Sequence, residues 1–313
     1  MIKLGIIDFD TSHVVQFSKR LNKKGIEADQ FVEGAEVILG YPGALEMMPE
    51  RIPGFTKELV EECGVTLVDK PEDMIGKIDG ILIESVGGSA HLERARPFLE
   101  ARVPTWIDKP LACSTQEARE IIKLAKKNKT PLFSASALRF ALEVQQVKAA
   151  REELGERLAV EVHGRHQARA YNPGWFNYGI HATEMLFELL GPGFQKPKFI
   201  AAGEVAHASG LWKNGAIGSV TLTNEGDWSF GFTYFGKKKT LMSCVDMKYT
   251  YRELLKAIVA FFTTGQAPVP IKEELEVIKY LETVNKLGAL AADAKEEPPV
   301  VSSPAPESVE KSS

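Results

Sequence analysis

Hydrophobic and polar positions change period along this chain, and the change divides it in two. Through residues 2–135, short apolar runs alternate with longer amphipathic stretches. Residues 2–9 read as a buried strand. Residues 14–24 read as a helix with Val14, Phe17 and Leu21 on one face. Strands follow at 36–39, 65–68, 79–83, 103–107 and 132–135, with helices at 56–63 and 89–102 between them. Gly64 stands just past the first of these helices, where a left-handed residue ends one. Ser114-Thr115-Gln116-Glu117 is a capping box that opens another. The 79–83 run is almost wholly apolar, as a strand covered on both faces must be.

After residue 138 the alternation of strand and helix stops. Residues 140–153 read as a helix, 159–166 as a strand, and 179–190 as a helix ended by Gly191-Pro192-Gly193. From 199 to 247 strand-like runs are separated only by turn signals such as Asn214-Gly215. Helical periodicity returns at 249–263 and 272–291. The class expected is α/β: a Rossmann-like doubly wound parallel sheet, then an α+β domain with a mostly antiparallel open sheet. The boundaries expected are 1–137 for a nucleotide-binding domain and 138–293 for a substrate and oligomerisation domain. A Pro-, Ser- and Glu-rich tail at 294–313 should be disordered. The alternating 220–235 stretch offers a face for self-association, so a homo-oligomer is expected.

Composition narrows the function. With 313 residues, 44% hydrophobic and 26% charged, the chain can bury two cores without a disulfide or metal staple. Its net charge of −4 excludes a broad nucleic-acid or anionic-membrane surface, which needs a basic excess. Cys63, Cys113 and Cys244 are isolated from one another and suit a reducing compartment. The longest run without Asp, Glu, Lys or Arg, 257–271, is too short to span a bilayer. No signal-peptide pattern opens the sequence. The expectation is a cytoplasmic protein acting on a small molecule.

In a parallel α/β sheet, ligands sit beyond the carboxyl ends of the strands. Two constellations stand out. Asp108-Lys109-Pro110 follows the 103–107 strand, where a partly desolvated lysine can move a proton. Asn177, His181 and Glu184 share a helical face in the run Gly174–Glu184. A histidine there suits acid–base work. The plain alternatives are a surface turn and a satisfied core histidine. Tyr171, Trp175, Phe176 and Tyr178 can stack on sugar rings or simply pack the core. Arg165 and Arg169 can face an anionic group or solvent.

In this order, the two constellations resemble the Gfo/Idh/MocA family (glucose–fructose oxidoreductase and inositol dehydrogenase) over residues 2–291. Its Glu-Lys-Pro signature is similar to Asp108-Lys109-Pro110, and its Asp-x-Gly-x-His signature to Asn177-Tyr178-Gly179-Ile180-His181. Ser89-Ala90-His91 and Leu138-Arg139-Phe140 also match family features. The resemblance implies NAD or NADP as cofactor and a sugar, polyol or related carbohydrate as substrate. It implies Lys109, His181 and Asn177 as the catalytic group, with Lys109 and His181 handling the hydroxyl proton. The cofactor would lie against Asp8, Asp10, Thr11, Ser12, His13, Tyr41, Ser85, His91 and Lys109. The substrate would meet Lys109, Arg139, His163, Arg165, Trp175, Asn177, His181 and Glu184.

The sequence departs from the family at two places. Aligned from Gly5, the three glycine positions of the phosphate-binding loop hold Asp8, Asp10 and His13. Carboxylates there compete with a pyrophosphate for the helix N-terminus. Asp10, Thr11 or Ser12 is expected to cap that helix. The family's second-domain aspartate is Asn177, which can orient a hydroxyl but not accept its proton. Two other readings therefore stand beside the oxidoreductase. One is a non-redox carbohydrate enzyme working by metal-assisted elimination or hydration, with His163, His166, His181 and Glu184 as a ligand set. The other is a non-catalytic ligand-binding relative. In the leading reading no metal site is assigned.

Overall fold

The computed structural model describes residues 1–43, 47–227 and 229–296, with side chains described to 289. Of the expected disordered tail, 297–313 lie outside the described residues, and 294–296 continue the last helix.

The first layer system follows the expected order. β1 (Ile2–Ile7), α1 (His13–Asn22), β2 (Ala35–Tyr41), α2 (Ile52–Glu61), β3 (Thr66–Leu67), β4 (Gly80–Ile83), α3 (His91–Glu100), β5 (Thr105–Ile107), α4 (Thr115–Asn128) and β6 (Leu132–Phe133) alternate along the chain. The six strands are parallel in the order β3-β2-β1-β4-β5-β6. Strand order reverses between β1 and β4, so their carboxyl ends open a crevice. The central strand has two faces to bury. Ile81 and Ile83 pack with Phe98, Leu99 and Ile121, while Leu82 turns to Val14, Phe17, Trp106 and Phe133. The capping box forms: Ser114 Oγ accepts from the Glu117 N–H at 3.1 Å and donates to its carboxylate at 2.9 Å.

The chain then passes through α5 (Leu142–Ala149) and α6 (Arg151–Leu154), β7 (Arg157–Arg165) and α7 (Gly179–Leu190). β8 (Lys198–Ala202), β9 (Val205–Leu211), β10 (Ile217–Thr223), β11 (Gly231–Gly236) and β12 (Thr240–Cys244) follow. The second sheet runs β12-β11-β7-β10-β9-β8 and is antiparallel except where β10 meets β7. Its inner face, with Val160, Val162, Val220, Leu222, Phe232 and Tyr234, packs on α7. The alternation in 220–235 is thus real, but its large apolar residues point inward. The exposed apolar side chains Ile200, Ile217 and Met242 lie elsewhere on this sheet.

α8 (Thr250–Thr264) and α9 (Ile271–Glu296) close the chain. Here packing crosses the expected boundary at 138. Leu254, Leu255, Ile258 and Phe261 of α8 return to the first sheet and pack with Leu4, Val14, Phe17 and Phe133. Periodicity showed α8 to be amphipathic but not which sheet it covers. α9 ties both halves: Thr115 on α4 donates to Glu282 at 2.7 Å, and Asn285 accepts from the Trp175 N–H at 2.9 Å.

Candidate active site

The crevice beyond β1, β4 and β5 narrows to a cleft of about 190 Å³ between the two sheets. Thr11, Ser12, His13 and Lys109 form one wall. Gln167, Arg169, Tyr171, Asn177, Tyr178 and His181 form the other. Arg51 and Tyr251 also line it, and among the described residues no carboxylate does. Lys109 and His181 therefore meet across two halves of the molecule.

His181 sits near the start of α7 with Nδ1 2.7 Å from the buried Ser136 hydroxyl. That leaves Nε2 for a ligand. Burial, then the nearby Lys109 and His13, push its pKa well below the usual histidine value, so the ring is neutral at physiological pH. Asn177 precedes the helix and donates from Nδ2 to the Gln167 carbonyl at 2.6 Å. Its amide oxygen is the end left for a hydroxyl. Lys109 follows Asp108, whose Oδ1 accepts the Lys109 N–H at 2.7 Å.

The loop that should cradle phosphates is built differently. Asp8 has φ 65°, the left-handed conformation a glycine would take and aspartate tolerates. Its side chain fills the space beside Gly43, where a Cβ would meet Asp8 Oδ1 at 2.2 Å. Asp8 accepts from Ser85 Oγ and from Arg94 Nε, the latter at 3.0 Å. Asp10 accepts the Val86 N–H at 2.9 Å. Burial raises the pKa of both, and that of Asp10 reaches about 7 despite the Val86 N–H. Of the three residues expected to cap α1, Asp10 does not, while Thr11 Oγ1 accepts the His13 N–H at 3.4 Å. Ser12 is the N-cap without a side-chain bond, and no acid lies in the first turn. The carboxylates are turned inward, where Ser85 and Arg94 donate to Asp8 Oδ2 and the Val86 N–H donates to Asp10 Oδ1, while Asp8 Oδ1 has no hydrogen-bond partner among the described residues.

Several expected site residues lie outside the cleft. Arg139 is wholly buried and donates to Glu184 (2.5 Å), Glu188 (3.0 Å), Glu273 (2.8 Å) and Glu274 (3.0 Å). Arg139 and Glu184 are thus partners of each other, because a buried guanidinium must find carboxylates. His91 is also buried, between the Pro110 and Ser85 carbonyls at 2.9 and 3.0 Å, and pins two strand ends together. Ser85 is spent on Asp8. Tyr41 ends β2 without lining the cleft. His163 is exposed on β7, and Arg165 on the same strand does not line the cleft either. Trp175 packs on Phe199 with ring centroids 6.1 Å apart. Trp175, Phe176 and His166 instead line an apolar groove of about 640 Å³ beside β8 and α9. The aromatic run is split: only Tyr171 and Tyr178 face the cleft. The four-residue metal set is likewise dispersed, since β7 pairs with β10 in unbroken register and no bulge turns His163 toward His166.

The sequence reading missed Arg51, Tyr251 and Glu84. Tyr251 belongs to α8, which was assigned to the other half. It meets the His13 ring edge-on at 5.1 Å. Behind His13 lies a contact that nothing in the spacing announces. His13 Nδ1 is 2.7 Å from Asp108 Oδ2 and 3.9 Å from Glu84 Oε2.

Residues 46–136 match the model of an oxidoreductase family with an NAD-binding Rossmann fold. No curated protein matches the sequence. Solved structures share the whole architecture. A scyllo-inositol dehydrogenase from Lactobacillus casei, with bound NAD(H) and scyllo-inositol, is 13% identical with a TM-score of 0.75. The match covers 92% of this chain and 96% of that one. A myo-inositol 2-dehydrogenase from Lactobacillus plantarum is 13% identical with a TM-score of 0.76, over 93% and 98% of the two chains. A probable dehydrogenase from Thermotoga maritima is 16% identical with a TM-score of 0.73, over 93% and 97%.

Proposed function

We propose, from the match of residues 46–136 to an NAD-binding oxidoreductase family and from the two-sheet fold shared with inositol dehydrogenases, that the chain is a Gfo/Idh/MocA-type oxidoreductase whose cleft oxidises a hydroxyl of a sugar, polyol or related carbohydrate. One observation carries the reading. Lys109, Asn177 and His181, contributed by two different sheets' elements, line a single cleft at the carboxyl ends of the parallel strands.

The dinucleotide must fit a loop without glycines. Its phosphates suit the first turn of α1, which carries no acidic residue and lies along the same cleft as Arg51. Asp10 is the group that opposes them. With a pKa of about 7 it is neutral in mildly acidic solution and charged above, so phosphate binding weakens as pH rises through 7. The cleft itself, at about 190 Å³, is smaller than the roughly 300–1,000 Å³ of ordinary ligand sites. It holds the reacting end of a ligand, not a whole dinucleotide.

When bound, NAD or NADP supplies the two-electron acceptor. The chain's own groups then have distinct tasks. The Lys109 ammonium binds the hydroxyl oxygen and favours its anionic form. Neutral His181 offers Nε2 to the hydroxyl proton, and Ser136 fixes the ring by its other nitrogen. Asn177 orients a neighbouring hydroxyl through its amide oxygen. Tyr171 and Tyr178 flank a sugar ring.

The test is a screen of polyols and sugars with NAD and NADP, followed by absorbance of the reduced nicotinamide. Lys109→Ala and His181→Ala should each lower kcat/KM about 10²–10⁴-fold. Wild-type rates in both variants would remove these residues from the reaction.

A further inference from the structure

A buried trio of metal-type side chains stands directly behind the His13–Lys109 wall of the cleft. It comprises His13 from the start of α1, Glu84 from the end of β4 and Asp108 from the end of β5. One donor atom from each lies within 4.8 Å of the others. Glu84 is 0% exposed, Asp108 1% and His13 9%. The outer atoms are already held. Glu84 Oε1 accepts from Trp106 Nε1 at 3.1 Å, and Asp108 Oδ1 accepts the Lys109 N–H at 2.7 Å. The His13 ring is fixed by stacking on Phe17, with centroids 5.3 Å apart, and by the Tyr251 edge. These contacts leave the inner atoms converging on one another.

The inner atoms do not satisfy themselves. His13 Nδ1 can give its one proton to Asp108 Oδ2 at 2.7 Å. Glu84 Oε2, 3.9 Å from the same nitrogen, has no hydrogen-bond partner among the described residues. A buried carboxylate oxygen without a donor is costly, and one imidazole N–H cannot serve two carboxylates. We propose that His13 Nδ1, Glu84 Oε2 and Asp108 Oδ2 bind a divalent transition-metal ion of the zinc or manganese type. Two carboxylates and one imidazole match such an ion in charge and donor type. A tetrahedral ion about 2.1 Å from each ligand needs donor atoms roughly 3.4 Å apart. The observed 2.7 and 3.9 Å bracket that spacing. Binding displaces the His13–Asp108 proton and any proton held by Glu84, so metal uptake releases protons. Trp106, the Lys109 amide and the Phe17–Tyr251 stack act as the outer supports that orient metal ligands.

The site stands whether or not the cleft oxidises carbohydrates, and its test is separate. Full-length protein is stripped with chelator and titrated with Zn²⁺ by calorimetry in two buffers of different ionisation enthalpy. Co²⁺ absorption spectra provide a second readout. Expected are one ion per chain, proton release, and at least a tenfold loss of affinity in both Glu84→Gln and His13→Asn. Glu84→Gln keeps the volume and the Trp106 acceptor. If His13→Asn fails to fold, Glu84→Gln decides, together with a Zn²⁺-induced rise in wild-type Tm that the variant lacks. No stoichiometric ion in the wild type would overturn the proposal. So would unaltered zinc affinity in Glu84→Gln, which would put the ion elsewhere. Zinc binding without dinucleotide binding would retain this site and count against the oxidoreductase reading alone.

Discussion

Two buried ionic clusters in this molecule are made from similar parts and end in different states. Around Arg139, every guanidinium nitrogen donates to a glutamate: Nε to Glu184, one terminal nitrogen to Glu188 and Glu273, the other to Glu274. Lys148 adds a second cation at Glu188. Around His13, one imidazole faces Asp108 and Glu84; Glu84 Oε2 has no hydrogen-bond partner among the described residues, as Glu184 Oε1 has none in the first cluster, but here no guanidinium stands between the carboxylates. The first cluster joins a 3₁₀ turn (Ala137–Phe140), α7 and α9, and none of its residues lines the cleft. The second lies at the carboxyl ends of β1, β4 and β5, behind the wall of the cleft. A buried carboxylate supplied with a cation by the fold is structural. The second cluster, beside the cleft and with two carboxylates on one imidazole, is where we propose an ion.

The sharpest way to break the contrast is to remove each cluster's key group. Arg139→Met leaves four glutamates without their shared cation. It should cost about 3–5 kcal/mol of stability, read from urea unfolding, or prevent folding. Glu84→Gln should act in the opposite direction in metal-free protein at neutral pH. Burial and the adjacent Asp108 raise the Glu84 pKa well above its ordinary value. The folded state therefore holds this proton more tightly than the unfolded one, and wild-type stability falls as pH rises above the ordinary glutamate range. An amide removes that loss. The variant should equal or exceed wild type by about 1–2 kcal/mol at pH 7–8. A large destabilisation would mean that Glu84 is as structural as Arg139.

Asp10→Asn gives the smallest effect and sharpens the account of the phosphate loop. Burial raises the Asp10 pKa from 3.8 to about 7. Wild-type stability should therefore fall as pH rises from about 4 to about 7, then level off with respect to this group. In Asp10→Asn, Tm measured from pH 5 to 8 should depend less on pH. An unchanged pH slope would show that Asp10 does not carry the proton.

The fold was largely legible because it is written in period. Apolar runs such as Ile81–Leu82–Ile83 and the Ser114–Glu117 box are local signals, and local physics decides them. Lys109, Asn177 and His181 were legible as candidates through family spacing, and the structure brings them to one cleft. Arg139, Glu184, His91 and Trp175 were misplaced for a common reason. Each is a polar or aromatic group near a motif, and whether it faces a ligand or a buried partner depends on residues far away in sequence. Arg139 meets Glu273 and Glu274, more than a hundred residues on. The same distance hid the His13–Glu84–Asp108 trio, which the start of α1 and the ends of β4 and β5 assemble. α8 could not be placed by its amphipathic face, since both sheets offered an apolar surface.

The central claim, that the cleft serves a nicotinamide dinucleotide through an altered loop, is tested most directly by calorimetric titration of the purified protein with NAD, NADH, NADP and NADPH at pH 6 and pH 8. The account predicts binding of at least one of them, weaker at pH 8, with the difference between the two pH values reduced in Asp10→Asn. No binding of any of the four at either pH would contradict it.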